Sequence, residues 1–367
     1  MNQAWILRLV LWLVLSGLVH PAVAMAAMPW IRVSNDKTGF VTGADQRFVP
    51  WGVNYDHDDQ GRLIEDYWQA EWPLIEAHFE AIRDLKANVV RIHLQFGKFM
   101  ETATRPNREA HKQLSRLLDL AERTNLYLDL TGLGCYHKQD VPAWYDELTE
   151  SERWDAQANF WQAVAETCKD SPAIFCYDLM NEPVSPGGRG KPGDWLGPAF
   201  AGKHFVQRIS LDQNDRPRPQ IAVAWIQQLT KAIRKVDQRH LVTVGLVDWS
   251  LDRPGLTSGF VPHIIVDHVD FLCVHLYPEQ GKLDEALKTL AGFSVGKPVI
   301  IEETFPLKCS SAELADFIRQ SRKSATGWIS FYWGKPLVEL RKSPQIGDAI
   351  LAEWLVQFEK LSSLMVP

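Results

Sequence analysis

The chain has 367 residues, of which 46% are hydrophobic and 23% charged, with a formal net charge of −6 and no basic tract. That balance belongs to an ordinary water-soluble globular protein and argues against nucleic acid or an anionic membrane surface as a partner. The length exceeds one average domain but suits a single (β/α)8 barrel.

The first element is an address. Arg8 precedes an apolar run at 9–18, and Ala22-Val23-Ala24 and Ala24-Met25-Ala26 offer small-residue cleavage sites. The run is shorter than the ~20 residues of a comfortable membrane span, so 1–27 reads as a cleaved signal peptide. No cysteine stands beside the cleavage sites, so no lipid anchor is implied. The mature part, 28–367, is expected to be secreted or periplasmic, a monomer without stable membrane association.

Residues 31–41 and 46–49 then read as a short N-terminal β-hairpin with a polar turn. From Pro50 on, short apolar strands alternate with amphipathic helices. Strands are predicted at 49–54, 89–94, 126–131, 174–180, 241–246, 271–277, 299–303 and 328–333. Helices are predicted at 73–85, 108–123, 151–168, 220–236, 283–290, 312–324 and 346–361. Eight strands separated by helical patterns imply right-handed crossovers and a parallel sheet closed into a (β/α)8 TIM barrel. An open doubly wound sheet would carry G-x-G-x-x-G after its first strand, where this chain has Val53-Asn54-Tyr55-Asp56-His57-Asp58. Residues 183–219 show neither period and are rich in Gly, Pro and charge. They read as one long loop forming a cleft wall, with Trp195, Phe200 and His204 either touching substrate or pinning the loop to the rim.

Two strands deliver carboxyl groups at the end where barrel enzymes keep their chemistry. One runs through Asp178-Leu179-Met180-Asn181 into Glu182-Pro183. About 120 residues later, Pro298-Val299-Ile300-Ile301 runs into Glu302-Glu303-Thr304. A carboxyl pair on two strand ends is the minimal equipment for retaining glycoside hydrolysis. Strand alternation points Glu302 and Glu303 to opposite faces, so only one should face a cleft. The run Asp56-His57-Asp58-Asp59 could bind substrate hydroxyls or be solvated loop. No metal is expected, since H-x-H and HExxH patterns are absent. Five widely spaced cysteines, Cys135, Cys168, Cys176, Cys273 and Cys309, form no C-x2-C pair and could give one or two disulfides. Trp68, Trp72, Trp144 and Trp249 fall in or beside loops after strands, as sugar platforms or as packing.

Together these pieces resemble a family 5 glycoside hydrolase of the cellulase superfamily, clan A. The match runs through Trp51-Gly52-Val53-Asn54-Tyr55, Asn88-Val89-Val90-Arg91, Asn181-Glu182-Pro183, His275-Leu276-Tyr277, Glu302-Glu303 and Trp333. The resemblance implies Glu182 as general acid/base and Glu303 as nucleophile, with Arg91 and Tyr277 contacting that nucleophile. It implies Asn181 on the sugar 2-hydroxyl, Asn54 and His275 in the cleft, and Trp333 as the aromatic floor beneath the cleaved sugar. Strand three lacks the histidine many relatives carry, and His137 is the candidate substitute. Thr304 stands where many relatives have an aromatic. The implied substrate is a β-linked glucan or mannan, cleaved with retention and without a cofactor. An exo-acting glycosidase of the same clan and a non-catalytic carbohydrate-binding barrel are the alternatives.

Overall fold

A computed structural model of the chain describes residues 28–186, 190–253, 256–331 and 333–366. The leader expected at 1–27 lies outside the described residues. Eight strands close into one parallel barrel: β1 (Trp51–Asn54), β2 (Val89–Gln95), β3 (Tyr127–Gly134), β4 (Ile174–Asn181), β5 (Leu241–Val247), β6 (Leu272–His275), β7 (Val299–Thr304) and β8 (Gly327–Ser330). Each pairs with its sequence neighbours, and β8 pairs with β1. Every one of these strands is buried along its whole length, as expected of a parallel sheet covered on both faces.

The outer layer consists of α1 (Trp72–Asp84), α2 (Arg108–Thr124), α3 (Glu150–Cys168), α4 (Arg218–Arg234), α5 (Pro262–Ile265), α6 (Leu283–Ala291), α7 (Ser311–Ser321) and α8 (Ile346–Met365). Their ends are written in the sequence. Asn107 caps α2 by accepting from Glu109 N–H, and Asn125 closes it in the left-handed conformation. Thr149 with Glu152, and Ser310 with Glu313, form capping boxes at α3 and α7. The four-residue α5 is too short for periodicity to reveal, which is why only seven helices are predicted. Trp51 stacks on Phe358 with ring centroids 4.1 Å apart, so α8 seals the seam where the last strand meets the first.

The N-terminal hairpin is a three-stranded meander, Ile31–Val33, Phe40–Thr42 and Arg47–Phe48. Phe40 meets Phe175 and Phe271 edge-on at 5.1 and 5.0 Å, and Phe48 meets Tyr127 at 5.0 Å. These partners stand at or just before the starts of β4, β6 and β3, so the meander stoppers the amino end of the barrel and leaves the other end for chemistry. All five cysteines are free thiols, so the disulfides allowed by the sequence do not form here. No helix among the described residues is long and apolar enough to cross a membrane.

The barrel wall is packed to contact. A Cβ at Gly132 of β3 would lie 2.3 Å from Cζ2 of Trp161 and 2.8 Å from Phe160 on α3. Gly132→Ala is therefore expected to lower unfolding stability by about 1–3 kcal/mol through overpacking, measured as a shifted urea midpoint with an unchanged m value.

Candidate active site

Four strands meet at one buried guanidinium. Arg91 on β2 donates from Nη1 to Glu303 Oε1 at 2.5 Å and to Asn54 Oδ1 at 2.9 Å. From Nη2 it donates to Asp178 Oδ2 at 2.8 Å and Asn181 Oδ1 at 3.0 Å, with Glu302 Oε2 at 3.4 Å. Arg91 is completely buried. Only a permanently charged planar fork can hold that many partners from different strands.

Glu302 and Glu303 both turn inward, contrary to the alternation that should send them to opposite faces. The pairing of β7 with β6 shifts register between Val274 and His275, and its pairing with β8 shifts between Ile301 and Thr304. Such irregularities at a sheet end re-aim side chains. Glu302 stays sealed inside, while Glu303 reaches the cleft with 7% of its side chain exposed. One glutamate faces the cleft, as expected, but by depth rather than by alternation.

Glu182 follows the last residue of β4 with φ +46°, a left-handed conformation that costs a non-glycine residue roughly 1–2 kcal/mol. Gly245 of β5 secures the turn by accepting from Glu182 N–H at 3.0 Å. The turn presents the carboxyl to the mouth, 18% exposed. One carboxylate oxygen of Glu182 and one of Glu303 lie within 4.8 Å of each other. That is close to the ~5–5.5 Å of retaining glycosidases and well short of the ~6.5–9.5 Å that leaves room for an inverting water.

His275 bridges the acids. Its Nδ1 lies 3.0 Å from Glu182 Oε1 and 3.5 Å from Glu303 Oε2, and its Nε2 3.2 Å from Glu302 Oε2. Burial opposes charge on the ring, but Glu303, Glu182 and Glu302 outweigh it and raise the imidazolium to about 10. Glu182, His275 and Glu303 are spaced as metal ligands can be. A metal, however, needs neutral imidazole, and this ring is held as a donor on both sides. Burial raises the Glu303 carboxyl above its ordinary value, against the pull of His275 and Arg91 and the hydrogen bond from Tyr277 at 2.7 Å. Burial likewise opposes the Glu302 carboxylate, but Arg91 and His275 prevail and hold it at about 2. Asp129 is pushed well above its ordinary range by burial and by the neighbouring Glu302 charge.

The structure therefore brings Glu182, Glu303, Arg91, Asn181, His275 and Tyr277 together. Other expectations change. Asn54 is fully buried, and its Nδ2 donates to Glu302 O and Ser330 O at 3.0 and 3.2 Å, so it ties β1 to β7 and β8 rather than entering the cleft. Trp333 is fully buried too, edge-on to His78 at 5.7 Å, and offers no open floor. His137 stands half-buried before the turn Lys138–Asp140, and the contacts described for Glu182 and Glu303 do not include it. Trp249 is half-buried in the turn Asp248–Ser250 after β5. Trp68 and Trp72 are buried as packing, and Trp144 lies against Phe96 and Tyr145. In the acidic run, Asp58 binds Arg62, Asp56 binds His57 and Asp59 reaches Lys335.

Sequence reading missed His93, Asp178 and Tyr136. His93 lies two residues after Arg91 on β2, a spacing that could have flagged it. Burial and Arg91 keep His93 neutral. Its Nε2–H then donates to Asn54 Oδ1 at 3.1 Å, and Nδ1 accepts from the Tyr136 hydroxyl. The cleft itself, about 180 Å³, is lined by Glu182, Glu303 and Tyr277 with Phe200, Phe205, Leu307 and Phe331 among its apolar walls. A larger hollow of about 540 Å³ beside α3 holds none of these residues.

Removing the central charge should be severe. Arg91→Met leaves Glu302, Glu303 and Asp178 with His275 as the one remaining cation of the cluster and should cost about 3–5 kcal/mol at neutral pH, with the loss shrinking in acid as those carboxylates take up protons. His275 behaves oppositely, because its folded pKa lies above its unfolded one. Its advantage over His275→Asn should be complete below about pH 6.5 and disappear as pH rises through about 10. Urea titrations of the two proteins across that range measure it.

Comparison with known proteins agrees with this geometry. Residues 54–334 match the family described as cellulase, glycosyl hydrolase family 5. The chain is 24% identical over 237 residues to mannan endo-1,4-beta-mannosidase A of Aspergillus aculeatus, covering 58% of this chain and 55% of that one. It is 25% identical over 131 residues to mannan endo-1,4-beta-mannosidase 3 of Solanum lycopersicum, covering 32% and 26%. The chain thus spans from about a quarter to about half the length of these curated relatives. Among solved structures it resembles an exo-beta-1,4-mannosidase from Opitutaceae bacterium strain TAV5, with TM-score 0.65, 17% identity and coverage of 90% and 62%. It also resembles a beta-1,4-mannanase from the sea hare Aplysia kurodai, with TM-score 0.62, 18% identity and coverage of 91% and 97%. The barrel, the strand-end glutamates and a match over most of its length make this chain a member of glycosyl hydrolase family 5.

Proposed function

We propose that the protein hydrolyses β-linked glycosides with net retention, by double displacement between Glu303 and Glu182, and that its substrate is a β-mannan or a manno-oligosaccharide. The observation that carries the reaction is the pair of carboxylates within 4.8 Å at the ends of β4 and β7. The mannosidic preference rests on the mannanases among its relatives.

Glu303 is the nucleophile. Arg91 and Tyr277 each donate to one of its oxygens, which holds the carboxylate in place and favours its ionised form. Its attack on the anomeric carbon expels the leaving oxygen, which takes its proton from Glu182. Glu182, now ionised, faces the Nδ1–H of His275 and is stabilised by that positive charge. It then removes a proton from water, which attacks the glycosyl–Glu303 ester from the face the leaving group vacated. Two inversions at one carbon give retention. Asn181 is the candidate for the sugar 2-hydroxyl, although its Nδ2 now donates to Phe205 O at 3.1 Å. Nothing in this sequence of steps calls for a metal or an organic cofactor. The leader at 1–27 supports export, and we take the exported protein to act as a monomer.

Glu182→Ala should lose about 10²–10⁴-fold in kcat on a natural glycoside, lose far less on a dinitrophenyl glycoside, and recover with azide. A 2-fluoro-mannoside should leave its label on the peptide containing Glu303. Label on another residue, or full activity in Glu182→Gln, would remove the assignment.

A further inference from the structure

The loop that leaves Glu182 does not hang from the rim; it crosses the mouth. Its root is fixed where Pro183–Val184 pair in parallel with Gln207–Arg208. Trp195, buried, donates from Nε1 to Asp146 O at 3.2 Å and lies under the Arg153 guanidinium at 4.5 Å. Between these anchors the segment 196–206 is tied to the end of β3. His204 N–H donates to Tyr136 O at 2.9 Å, and Gln207 Nε2 donates to Leu133 O at 2.9 Å. At its innermost point Phe205 sets its ring edge-on to Tyr136 at 5.0 Å and to Phe331 at 6.3 Å, while its carbonyl takes the amide of Asn181. The strap therefore joins the β3 side of the mouth to the residue that follows β8.

The consequence is written in the burial. Where the strap lands, Tyr136 and Asn181 are closed to solvent, and they touch His93 and Arg91, which are buried in the barrel interior. Openness begins only at Glu182, Glu303 and Tyr277 and continues outward past Phe200, 67% exposed, and Leu307, 53% exposed. The cleft at this point is small, about 180 Å³, below the roughly 300 Å³ where drug-sized ligand sites begin. A polymer cleaved internally needs a groove open at both ends of the catalytic pair. Among the described residues of this cleft, the exposed lining lies at Phe200 and Leu307, while the side where Phe205 meets Tyr136 is buried.

Building on the glycosidase reading above, we propose that the strap 195–207 makes the site blind on the β1–β3 side, so that the enzyme binds the end of a β-linked chain and releases one sugar per event. Phe205 is the specificity-determining residue: it closes the far wall where a further sugar would otherwise lie. Phe200 and Leu307 border the exit through which the rest of the chain leaves. Their apolar faces suit the C–H faces of a pyranose.

The test is a time course on reduced-end-labelled β-1,4-mannohexaose and cellohexaose read by mass, together with the viscosity of soluble β-mannan. A free hexose and a five-sugar product should appear first, and reducing ends should rise while viscosity stays nearly constant. Phe205→Ala, and separately replacement of 198–203 by a Gly-Ser pair, should each produce two- and three-sugar products early. Early internal products from the unaltered protein, or a steep fall in viscosity, would overturn the blind site and leave the double-displacement reading intact. If a variant does not fold, the product pattern of the unaltered protein still decides. Failure to cleave any member of the panel would instead overturn the glycosidase reading and this inference with it.

Discussion

The Arg91 guanidinium is the constraint on which the rest of the site depends. It binds side chains from β1, β4 and β7, so it cross-links the barrel at the level where chemistry begins. A single cation cannot neutralise Glu302, Glu303 and Asp178 together. Two further arrangements bear on the balance: His275 carries a second positive charge, and burial pushes the Asp129 carboxyl well above its ordinary range. Full ionisation of every acid in a space this dry would cost far more than the folded state can bear. Burial works against charge on Glu303, and His275, Arg91 and the Tyr277 hydroxyl are the groups that oppose that effect.

Much of this was legible as residues before it was legible as geometry. Arg91, Glu182, His275, Tyr277 and Glu303 could be named from strand ends because a parallel barrel sends those ends to one face. The bulge in β7 could not. Period-two alternation assigns Glu302 to the outside, and only the register shifts against β6 and β8 bring it beneath His275. Gly245 is a related case. A Cβ there would approach Asp178 Oδ2, Glu302 Oε2 and His275 Nε2 at 3.1 Å each, so the cluster needs a residue without a side chain at that point on β5. Its backbone also donates to Asp178 Oδ1 at 2.6 Å and accepts from Glu182.

Aromatic residues divide in a way that composition conceals. Of the fifteen tryptophans, Trp68, Trp72, Trp144 and Trp249 read as sugar platforms or as packing. Yet Trp51, Trp161, Trp225, Trp333 and Trp354 are fully buried, and Trp68, Trp72, Trp154, Trp195 and Trp328 nearly so. The cleft walls are phenylalanines, Phe200, Phe205 and Phe331, brought together from the loop after β4 and the end of β8. Trp333 illustrates the cause. Its position after β8 matches a floor residue, but His78 of α1 and the backbone bond to Asn54 O draw it inward, and Phe331 takes the exposed place.

The strap and the charge cluster are parts of one device. Asn181 accepts from Arg91 through Oδ1 and donates to the strap through Nδ2, so the residue before the acid reports on both the buried cation and the closed wall. Glu182 is placed between them: its N–H is held by Gly245, and Pro183, next in the chain, pairs with Gln207 of the strap. Any displacement of Phe205 therefore acts on the acid through two covalent neighbours, and any loss of Arg91 acts on the strap through one. Glu182 is thus tied to the buried cation through Asn181 and to the strap through Pro183, so the turn that carries it is held from both sides.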